Sequence, residues 1–385
     1  MAEGGRVRRV AVRVGAGYTI EVGAGALDRL GVAARSALGP RATRAAVISN
    51  PRVFGLYGRP AAASLRASGF AVAHWLMGDG ERFKTLRTAE RALRFLSASR
   101  VGRGDAVVAL GGGVVGDLAG FAAALHLRGV AFVQAPTTLL AQVDSSVGGK
   151  TGVNTPDGKN LVGAFHQPRA VVADTATLRT LPPRELTAGW CEAVKQGAAG
   201  DRRLYETTVK FLERERSGGW RGEGAREEEL ARLVAAQCAF KAGVVAGDER
   251  EEVERTDARS RRVLNFGHTV GHALEAITDY RRFRHGEAVG WGMLAAAEIS
   301  VRLGLLGAAE LESLRGAVRL AGRLPRAADL GAETIRRALG HDKKSVGGRL
   351  RWVLLEGLGR ARVVDGRDVP WRVVRESLRA ALGVK

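Results

Sequence analysis

Three histidines in the second half of the chain have the spacing of a metal site. His268 and His272 lie four residues apart, so on a helix they share one face. Two imidazoles at that spacing can chelate a divalent metal ion, and a catalytic site adds a third protein ligand and an open position for substrate. His285, just before another predicted helix, and Glu192, three residues before Lys195, are the two candidates for that third ligand.

A glycine-rich turn in the first half has the pattern of a dinucleotide site. An apolar predicted strand, residues 105–110, runs directly into Gly-Gly-Gly-Val-Val-Gly-Asp at 111–117 and then into a helix, which fits G-x-G-x-x-G. Glycines let the backbone approach a pyrophosphate, and the helix N-terminus supplies unpaired N–H groups. No acidic residue follows about 20 positions later to hold a ribose. We therefore expect the ribose partners upstream, in residues 79–84.

A second polar segment, residues 136–152, combines hydroxyls, a carboxylate, a glycine pair and a lysine, and Gly-Lys-Asn-Leu follows at 158–161. Neither Gly-Gly-Lys-Thr nor Gly-Lys-Asn completes a Walker A motif, because the first glycine, expected five residues upstream of Gly149, is missing. ATP binding is not indicated. These donors suit a polar, anionic small molecule next to the cofactor.

Lysine is used so sparingly that its positions are informative. The chain has nine lysines and 51 arginines. A compact ammonium on a thin stem fits a crowded pocket that a planar guanidinium does not, so it can reach phosphate, carboxylate or carbonyl groups there. Lys210 and Lys385 lie in unremarkable stretches. The other seven lie in glycine-rich or polar segments: Lys84, Lys150, Lys159, Lys195, Lys241, Lys343 and Lys344.

The secondary-structure pattern predicts an α/β domain followed by a helical one. β-Branched runs at 9–14, 45–49, 71–76, 105–110, 130–134 and 170–173 alternate with helical stretches, which is typical of a mainly parallel sheet. Helical patterns then dominate at 184–199, 225–246, 264–277, 287–303, 308–321 and 332–339, with a short late strand at 349–355. We predict domains of residues 1–180 and 181–385, with a flexible loop at 217–229.

The amino-acid composition restricts the classes of function that this chain can have. The formal net charge of +20 comes from arginines spread along the chain among 40 acidic residues, so we expect a small anionic substrate and no nucleic acid. Cys191 and Cys238 cannot build a disulfide framework, which favours the cytoplasm. No uninterrupted apolar run approaches about 18 residues and residues 1–15 lack a signal-peptide core, so we expect no membrane association.

Taken together, the motifs resemble the 3-dehydroquinate synthase family. The resemblance covers residues 8–365 and is carried, in order, by segments 79–85, 111–117, 136–140, 144–151, 158–161, 265–272, 285–287 and 342–344. It implies a Rossmann-like NAD-binding domain followed by an all-α domain that carries the metal ligands. It also implies a homodimer, a lyase acting on a phosphorylated seven-carbon keto acid, and recycling of the bound NAD.

The resemblance also implies roles for individual residues. The metal ligands, for zinc or cobalt, would be Glu192, His268 and His285, and His272 would contact substrate instead. The other residues implied at the substrate or in catalysis are Arg128, Asp144, Lys150, Asn160, Lys195, Lys241, Arg261, Asn265, Lys343 and Lys344. The implied NAD contacts are Asp79, Gly80, Glu81, Arg82, Phe83, Lys84, Gly113, Val114, Val115, Gly116, Asp117, Thr137, Thr138, Asp144, Lys150, Lys159, Thr177, Leu178, Arg179 and Thr180.

Two related activities stay open at this point. Another sugar-phosphate cyclase, such as an amino-dehydroquinate, valiolone-type or deoxy-inosose synthase, would share most of these motifs. The retained lysines and asparagines favour a substrate with both carboxylate and phosphate. A metal-dependent polyol dehydrogenase would share the two-domain plan but would release NADH.

Overall fold

The computed structural model describes residues 7–219, 222–252, 255, 257, 260–342 and 350–384. The strands are β1 (Arg8–Val12), β2 (Tyr18–Gly23), β3 (Arg44–Ser49), β4 (Ala71–Leu76), β5 (Ala106–Gly111), β6 (Ala131–Pro136), β7 (Lys150–Thr155), β8 (Gly158–Phe165), β9 (Ala170–Asp174), β10 (Arg351–Gly357) and β11 (Arg360–Asp365). The α-helices are α1 (Leu30–Leu38), α2 (Pro51–Ala67), α3 (Leu86–Ala98), α4 (Gly113–Leu125), α5 (Pro183–Gly200), α6 (Arg202–Ser217), α7 (Glu223–Gly247), α8 (His268–Ile277), α9 (His285–Arg302), α10 (Ala308–Ala321), α11 (Ala332–Asp342) and α12 (Trp371–Leu382).

The chain forms two compact units. The first contains Met1–Leu181 and Arg221–Ala246, and the second contains Pro182–Trp220 and Gly247–Lys385. The break at Leu181 lies one residue from the predicted boundary, but helix α7 groups with the first unit. The predicted domains of residues 1–180 and 181–385 stay a proposal.

A seven-stranded sheet forms the centre of the first unit, in the order β1-β2-β9-β6-β5-β3-β4. β1 pairs antiparallel with β2, and the remaining neighbours are parallel. Along β5, Val107 and Ala109 join one apolar cluster and Val108 and Leu110 join another. Because successive side chains of a strand point to opposite faces, this central strand is apolar throughout and is covered on both sides.

The strand order reverses between β3 and β5, which creates a switch point at the carboxyl edge of the sheet. Ser49, the last residue of β3, donates a hydrogen bond to the carbonyl of Leu110 in β5 (2.7 Å). In open α/β sheets, ligands bind outside the carboxyl ends of the strands at such a point. The glycine-rich turn follows β5 at this edge.

The second unit is mainly helical, and glycines allow its helices to approach closely. A Cβ on Gly292 of α9 would lie 1.8 Å from the carbonyl oxygen of Gly267, just before α8. A Cβ on Gly286 would lie 2.0 Å from the carbonyl oxygen of Ala188 in α5. Any larger residue at these two positions would force α5, α8 and α9 apart.

The fold class predicted from sequence, an α/β region followed by a helical region, is confirmed, with two corrections. The second unit is not all-α, because β10 and β11 form a two-stranded antiparallel sheet, of which β10 is the predicted late strand. The predicted loop at 217–229 is wrong from Glu223 onward, where α7 begins. Its glutamates and arginines favour a helix more strongly than the scattered glycines oppose one.

Helix α7 is the one described helix long and apolar enough to cross a membrane by length and composition. Its most apolar stretch is 56% buried inside the structure and includes Lys241. These properties are typical of a core helix.

Candidate active site

Most of the residues predicted to contact NAD follow the carboxyl ends of parallel strands in the first unit. Residues 79–84 follow β4, the glycine-rich turn follows β5, Thr137 and Thr138 follow β6, and residues 177–180 follow β9. Because these strands are parallel members of one sheet, the structure brings all four segments to one edge. Sequence motifs far apart in the chain therefore meet at the switch point.

The glycine-rich turn leaves an open cradle of backbone at this edge. Helix α4 begins at Gly113, and its N-cap, Gly112, offers no side chain to the first amides. A Cβ on Gly112 would lie 2.9 Å from the Thr138 side chain, and one on Gly113 would lie 3.0 Å from Ser145 Oγ. A helix N-terminus with no side chain in the way suits a pyrophosphate, so the residues present fit a dinucleotide.

Lys84 lies at the centre of a polar network beside this cradle. Its side chain is buried, and its ammonium donates hydrogen bonds to the Asp117 carboxylate and to Asn160 Oδ1 (2.6 Å). Asp117 lies on α4, whereas Asn160 lies on β8. The lysine therefore links a residue predicted to contact the cofactor to one predicted to contact substrate.

A second lysine of the first unit is fixed in a similar way. Lys241 of α7 is buried, donates to the carbonyl of Asp144 (2.6 Å) and forms an ion pair with the Asp144 carboxylate. Asp144 lies in a single π-helical turn, Ala141–Ser145. π-Helical turns are frequent at functional sites, and this one presents a predicted catalytic residue.

Three histidines meet in the second unit. His268 and His272 lie on α8 and His285 opens α9, and one ligand atom from each lies within 4.8 Å of the others. Glu192 of α5 has its carboxylate 3.7 Å from His285 Nε2. The structure thus brings together every metal ligand that was considered from the sequence.

The ring nitrogens of two of these histidines are already oriented. The Nδ1–H of His268 donates to the carbonyl of Phe266 (3.3 Å), and the Nδ1–H of His285 donates to the Glu275 carboxylate (3.1 Å). With Nδ1 occupied, each ring offers its Nε2 lone pair to a metal, an arrangement common in metalloproteins. Burial lowers the pKa of His268 well below its ordinary value, and nearby Lys195 lowers it further, so the ring is a neutral ligand.

The Glu192 carboxylate is the clearest sign of a cation site. It is 0% exposed, and neither oxygen accepts a hydrogen bond from any described residue. Lys195 Nζ lies 2.5 Å from one oxygen as an ion pair without hydrogen-bond geometry. Buried polar atoms are almost always hydrogen-bonded, so these orphaned oxygens beside His285 fit a bound divalent ion.

His272 differs from the other two histidines because it is exposed, whereas His268 and His285 are half-buried. The distances alone admit His272 as a ligand, as the i, i+4 spacing suggested. Its exposure suits the substrate contact that the family resemblance implies.

Cys191, beside Glu192 in sequence, is not a ligand candidate. It is fully buried, and burial, with Glu192 and Glu287 nearby, raises the pKa of its thiol. A thiol kept protonated in this way binds metal poorly.

Two further predicted residues lie in the second unit, in the segment before α8. Arg261 is buried and donates to the carbonyl of Glu249 (2.8 Å), and Asn265 donates through Nδ2 to Glu251 (2.9 Å). Glu251, in left-handed backbone conformation (φ 55°), was not predicted from the sequence. No short-range pattern identified it, because its partner lies 14 residues away.

Glu275 was also missed, although a sequence signal existed. It follows His272 by three residues and His268 by seven, so all three share one helical face. Glu275 is 1% exposed and fixes the ring of His285.

The remaining predicted residues lie elsewhere along the chain. Arg128 lies in left-handed conformation (φ 67°) after α4, and Lys150 and Lys159 lie on β7 and β8 of the first unit. Arg179 pairs with Glu223 and Glu227 of α7. Lys343 and Lys344 lie outside the described residues.

The fold is that of a class of two-domain enzymes that includes sugar-phosphate cyclases. The structure resembles that of a 2-deoxy-scyllo-inosose synthase complexed with carbaglucose-6-phosphate, NAD+ and Co2+ (TM-score 0.82, 27% identity, covering 98% of this chain and 100% of that one). It also resembles a 2-epi-5-epi-valiolone synthase from Streptomyces hygroscopicus subsp. jinggangensis 5008 with NAD+ and Zn2+ bound (TM-score 0.80, 27% identity, covering 94% and 96%).

Sequence comparison identifies the particular family. Models of the N-terminal and C-terminal parts of 3-dehydroquinate synthase match residues 74–188 and 189–345. A 3-dehydroquinate synthase from Pelotomaculum thermopropionicum is 47% identical over 330 residues, covering 85% of each chain. This chain belongs to the 3-dehydroquinate synthase family.

Proposed function

We propose that this chain catalyses the 3-dehydroquinate synthase reaction. The reaction converts 3-deoxy-D-arabino-heptulosonate 7-phosphate to 3-dehydroquinate and inorganic phosphate, a carbon–oxygen lyase step of the shikimate pathway to aromatic amino acids. Family membership at 47% identity supports this assignment. The single structural observation that carries it is the buried Glu192 carboxylate, which faces His285 and Lys195 and accepts no hydrogen bond from the described part of the chain.

Glu192, His268 and His285 would hold a divalent ion, zinc or cobalt. Such an ion supplies Lewis-acid polarisation of a substrate hydroxyl. Glu275 holds Nδ1 of His285, so Nε2 of that ring would bind the ion, and the Phe266 carbonyl holds Nδ1 of His268 in the same way. His272, the exposed member of the cluster, is left to contact the substrate.

The carboxyl edge of the first unit would hold NAD. Bound NAD supplies a reversible hydride acceptor, so the reaction has no net redox change. The backbone cradle at Gly112 and Gly113 suits the pyrophosphate, and residues 79–84 and 177–180 flank it. Asp79 is oriented for a ribose by a hydrogen bond from Asn50 Nδ2 to its Oδ1 (3.0 Å).

The lysines and arginines of the predicted site would bind the two anionic ends of the substrate. Lys195 and Arg261 are buried charges of the second unit, and a buried, preorganised cation stabilises developing negative charge more than a solvated one does. Lys150, Asn160 and Lys241 of the first unit, with Arg128, Lys343 and Lys344, complete the proposed set. The departing phosphate can take up the released proton, so no further protein base is required.

We also propose that the chain acts in the cytoplasm as a homodimer. Sedimentation equilibrium of the purified chain would give a mass about twice 40.8 kDa. A measured mass of one chain at working concentrations would contradict the proposed homodimer but would not bear on the proposed reaction.

The direct test is phosphate release from the heptulosonate phosphate with NAD and zinc present. We expect stoichiometric phosphate and 3-dehydroquinate, with no lasting absorbance of NADH. Accumulated NADH without phosphate would favour a polyol dehydrogenase. Turnover of only the amino analogue of the substrate would favour an amino-dehydroquinate synthase.

A further inference from the structure

The hairpin of β7 and β8 has an irregular register at one residue, Asn154. Val153 pairs with Val162 and Thr155 pairs with Gly158, so Asn154 alone faces three residues of β8. Bulges of this kind occur next to active sites, where they redirect a side chain. Because of this irregular register, Asn154 is not paired with a residue of β8.

Asn154 uses its backbone amide and both side-chain atoms to join three segments. Its backbone N–H donates to the carbonyl of Lys84 (2.8 Å). Its Nδ2 donates to Glu81 Oε1 (2.7 Å), and its Oδ1 accepts from the backbone N–H of Asn160 (3.0 Å). The amide has only one orientation that satisfies both partners, because a carboxylate cannot donate and a backbone N–H cannot accept.

Asn160 is held in an unusual conformation by this arrangement. Its φ of 56° lies in the left-handed region, which non-glycine residues adopt at some cost. Asn154 fixes its backbone and Lys84 fixes its side chain, through Nζ to Oδ1 (2.6 Å). Lys84 belongs to the segment proposed to contact NAD, and Asn154 is hydrogen-bonded to that segment through Glu81 and the carbonyl of Lys84.

We propose that Asn154 is a positioning residue that couples the NAD segment, residues 79–84, to Asn160 at the substrate site. Binding of the nucleotide against Glu81 fixes the Asn154 amide, and the amide in turn fixes Asn160. The coupling is reciprocal, as linkage requires. This inference rests on the proposed function, which supplies the two ligands.

The test compares two substitutions at this position with a control in the same hairpin. Asn154→Ala removes both side-chain bonds. Asn154→Asp keeps the acceptor for Asn160 but places a second carboxylate against Glu81. Thr151→Val is the matched control, because it removes one hydrogen bond of the hairpin, from Thr151 Oγ1 to the carbonyl of Ala164 (2.8 Å), without touching residues 79–84.

We expect Asn154→Ala to raise both the NAD dissociation constant and the KM for the heptulosonate phosphate about tenfold, the effect of losing a hydrogen bond to a charged group. Asn154→Asp should weaken NAD binding at least as much and should affect the KM less. Thr151→Val should change each constant less than about twofold, and the melting temperature would verify that each variant is folded.

Hydrogen exchange provides a readout that does not require turnover. NAD should slow amide exchange in residues 158–161 of the wild type and of Thr151→Val but not of Asn154→Ala. A folded Asn154→Ala with wild-type NAD affinity, KM and exchange response would overturn the coupling alone. A wild type that neither binds NAD nor releases phosphate would overturn the proposed function, and the coupling with it.

Discussion

Each unit buries at least one lysine, and the surroundings of Lys84 in the first unit and Lys195 in the second unit differ. Lys84 of the first unit is 3% exposed, and its ammonium donates hydrogen bonds to Asp117 and Asn160. Lys195 of the second unit is 1% exposed and lies beside Glu192, whose oxygens accept no hydrogen bond from the described residues. Both positions would be costly for an isolated charge, so each lysine depends on its neighbours.

The difference indicates two uses of a buried charge. Around Lys84 the polar groups are directed at one another and join the segment after β4 to α4 and β8. Around Glu192 the carboxylate keeps unused acceptor capacity and faces a histidine ring whose Nδ1 is already occupied. We infer that the Lys84 network is a scaffold for binding, whereas the Glu192 cluster is where a cation and the chemistry belong.

Substitution of Lys195 should have the largest effect on turnover. In Lys195→Met the volume is retained but the cation beside Glu192 is lost. Turnover should fall at least about 100-fold, as for loss of other preorganised charges, while the divalent ion stays bound. Phosphate release and metal analysis measure the two effects. Lys210→Met, at an exposed position of α6, is the control and should behave as wild type. Undiminished turnover in Lys195→Met would contradict the assignment.

Substitution of Lys84 should mainly affect stability. Lys84→Met leaves the Asp117 carboxylate, whose side chain is 22% exposed, without its ion-pair partner. The free energy of unfolding should fall by about 3 kcal/mol, with metal binding in the second unit unchanged. Urea unfolding measures this change. Combining Lys84→Met with Asp117→Asn should restore part of the loss, and a double variant no more stable than Lys84→Met would argue against the scaffold role.

Substitution of Glu275 should have a smaller effect, confined to metal affinity. Glu275→Gln weakens the acceptor that orients His285, so the zinc dissociation constant should rise about tenfold. Competition with a chromophoric chelator measures it. Glu298→Gln is the matched control, since Glu298 is also buried but pairs with Arg302 and Arg315 of the same unit. Equal zinc affinities in Glu275→Gln and Glu298→Gln would contradict the proposed role of Glu275 in orienting His285.

The sequence predicted those parts of the molecule that depend on local patterns. Strand β4 begins and ends as predicted, and the turn after β5 lies where the G-x-G-x-x-G pattern indicated. The scarcity of lysine in the sequence was also informative. Lys84, Lys195 and Lys241 are all buried, which is rare for lysine. The family assignment from the combined motifs is confirmed, while the roles of individual site residues stay predictions.

The parts that were missed depend on contacts between distant residues. β7 and β8 were read only as polar segments, because β8 is largely exposed and carries no apolar alternation that stands out. A Pro-Asp-Gly turn at 156–158 was the available signal. Asn154 could not be identified in advance, because its importance lies in partners 73 and 6 residues away.

Titration of the metal-free chain with Co2+, followed by visible absorption, tests the central claim most directly. We predict one ion per chain for the wild type and for His272→Ala, and loss of specific binding in Glu192→Ala and His285→Ala with the fold retained. Wild-type binding in Glu192→Ala, or its loss in His272→Ala, would contradict the account, because the cation would then be held by the histidine pair of α8.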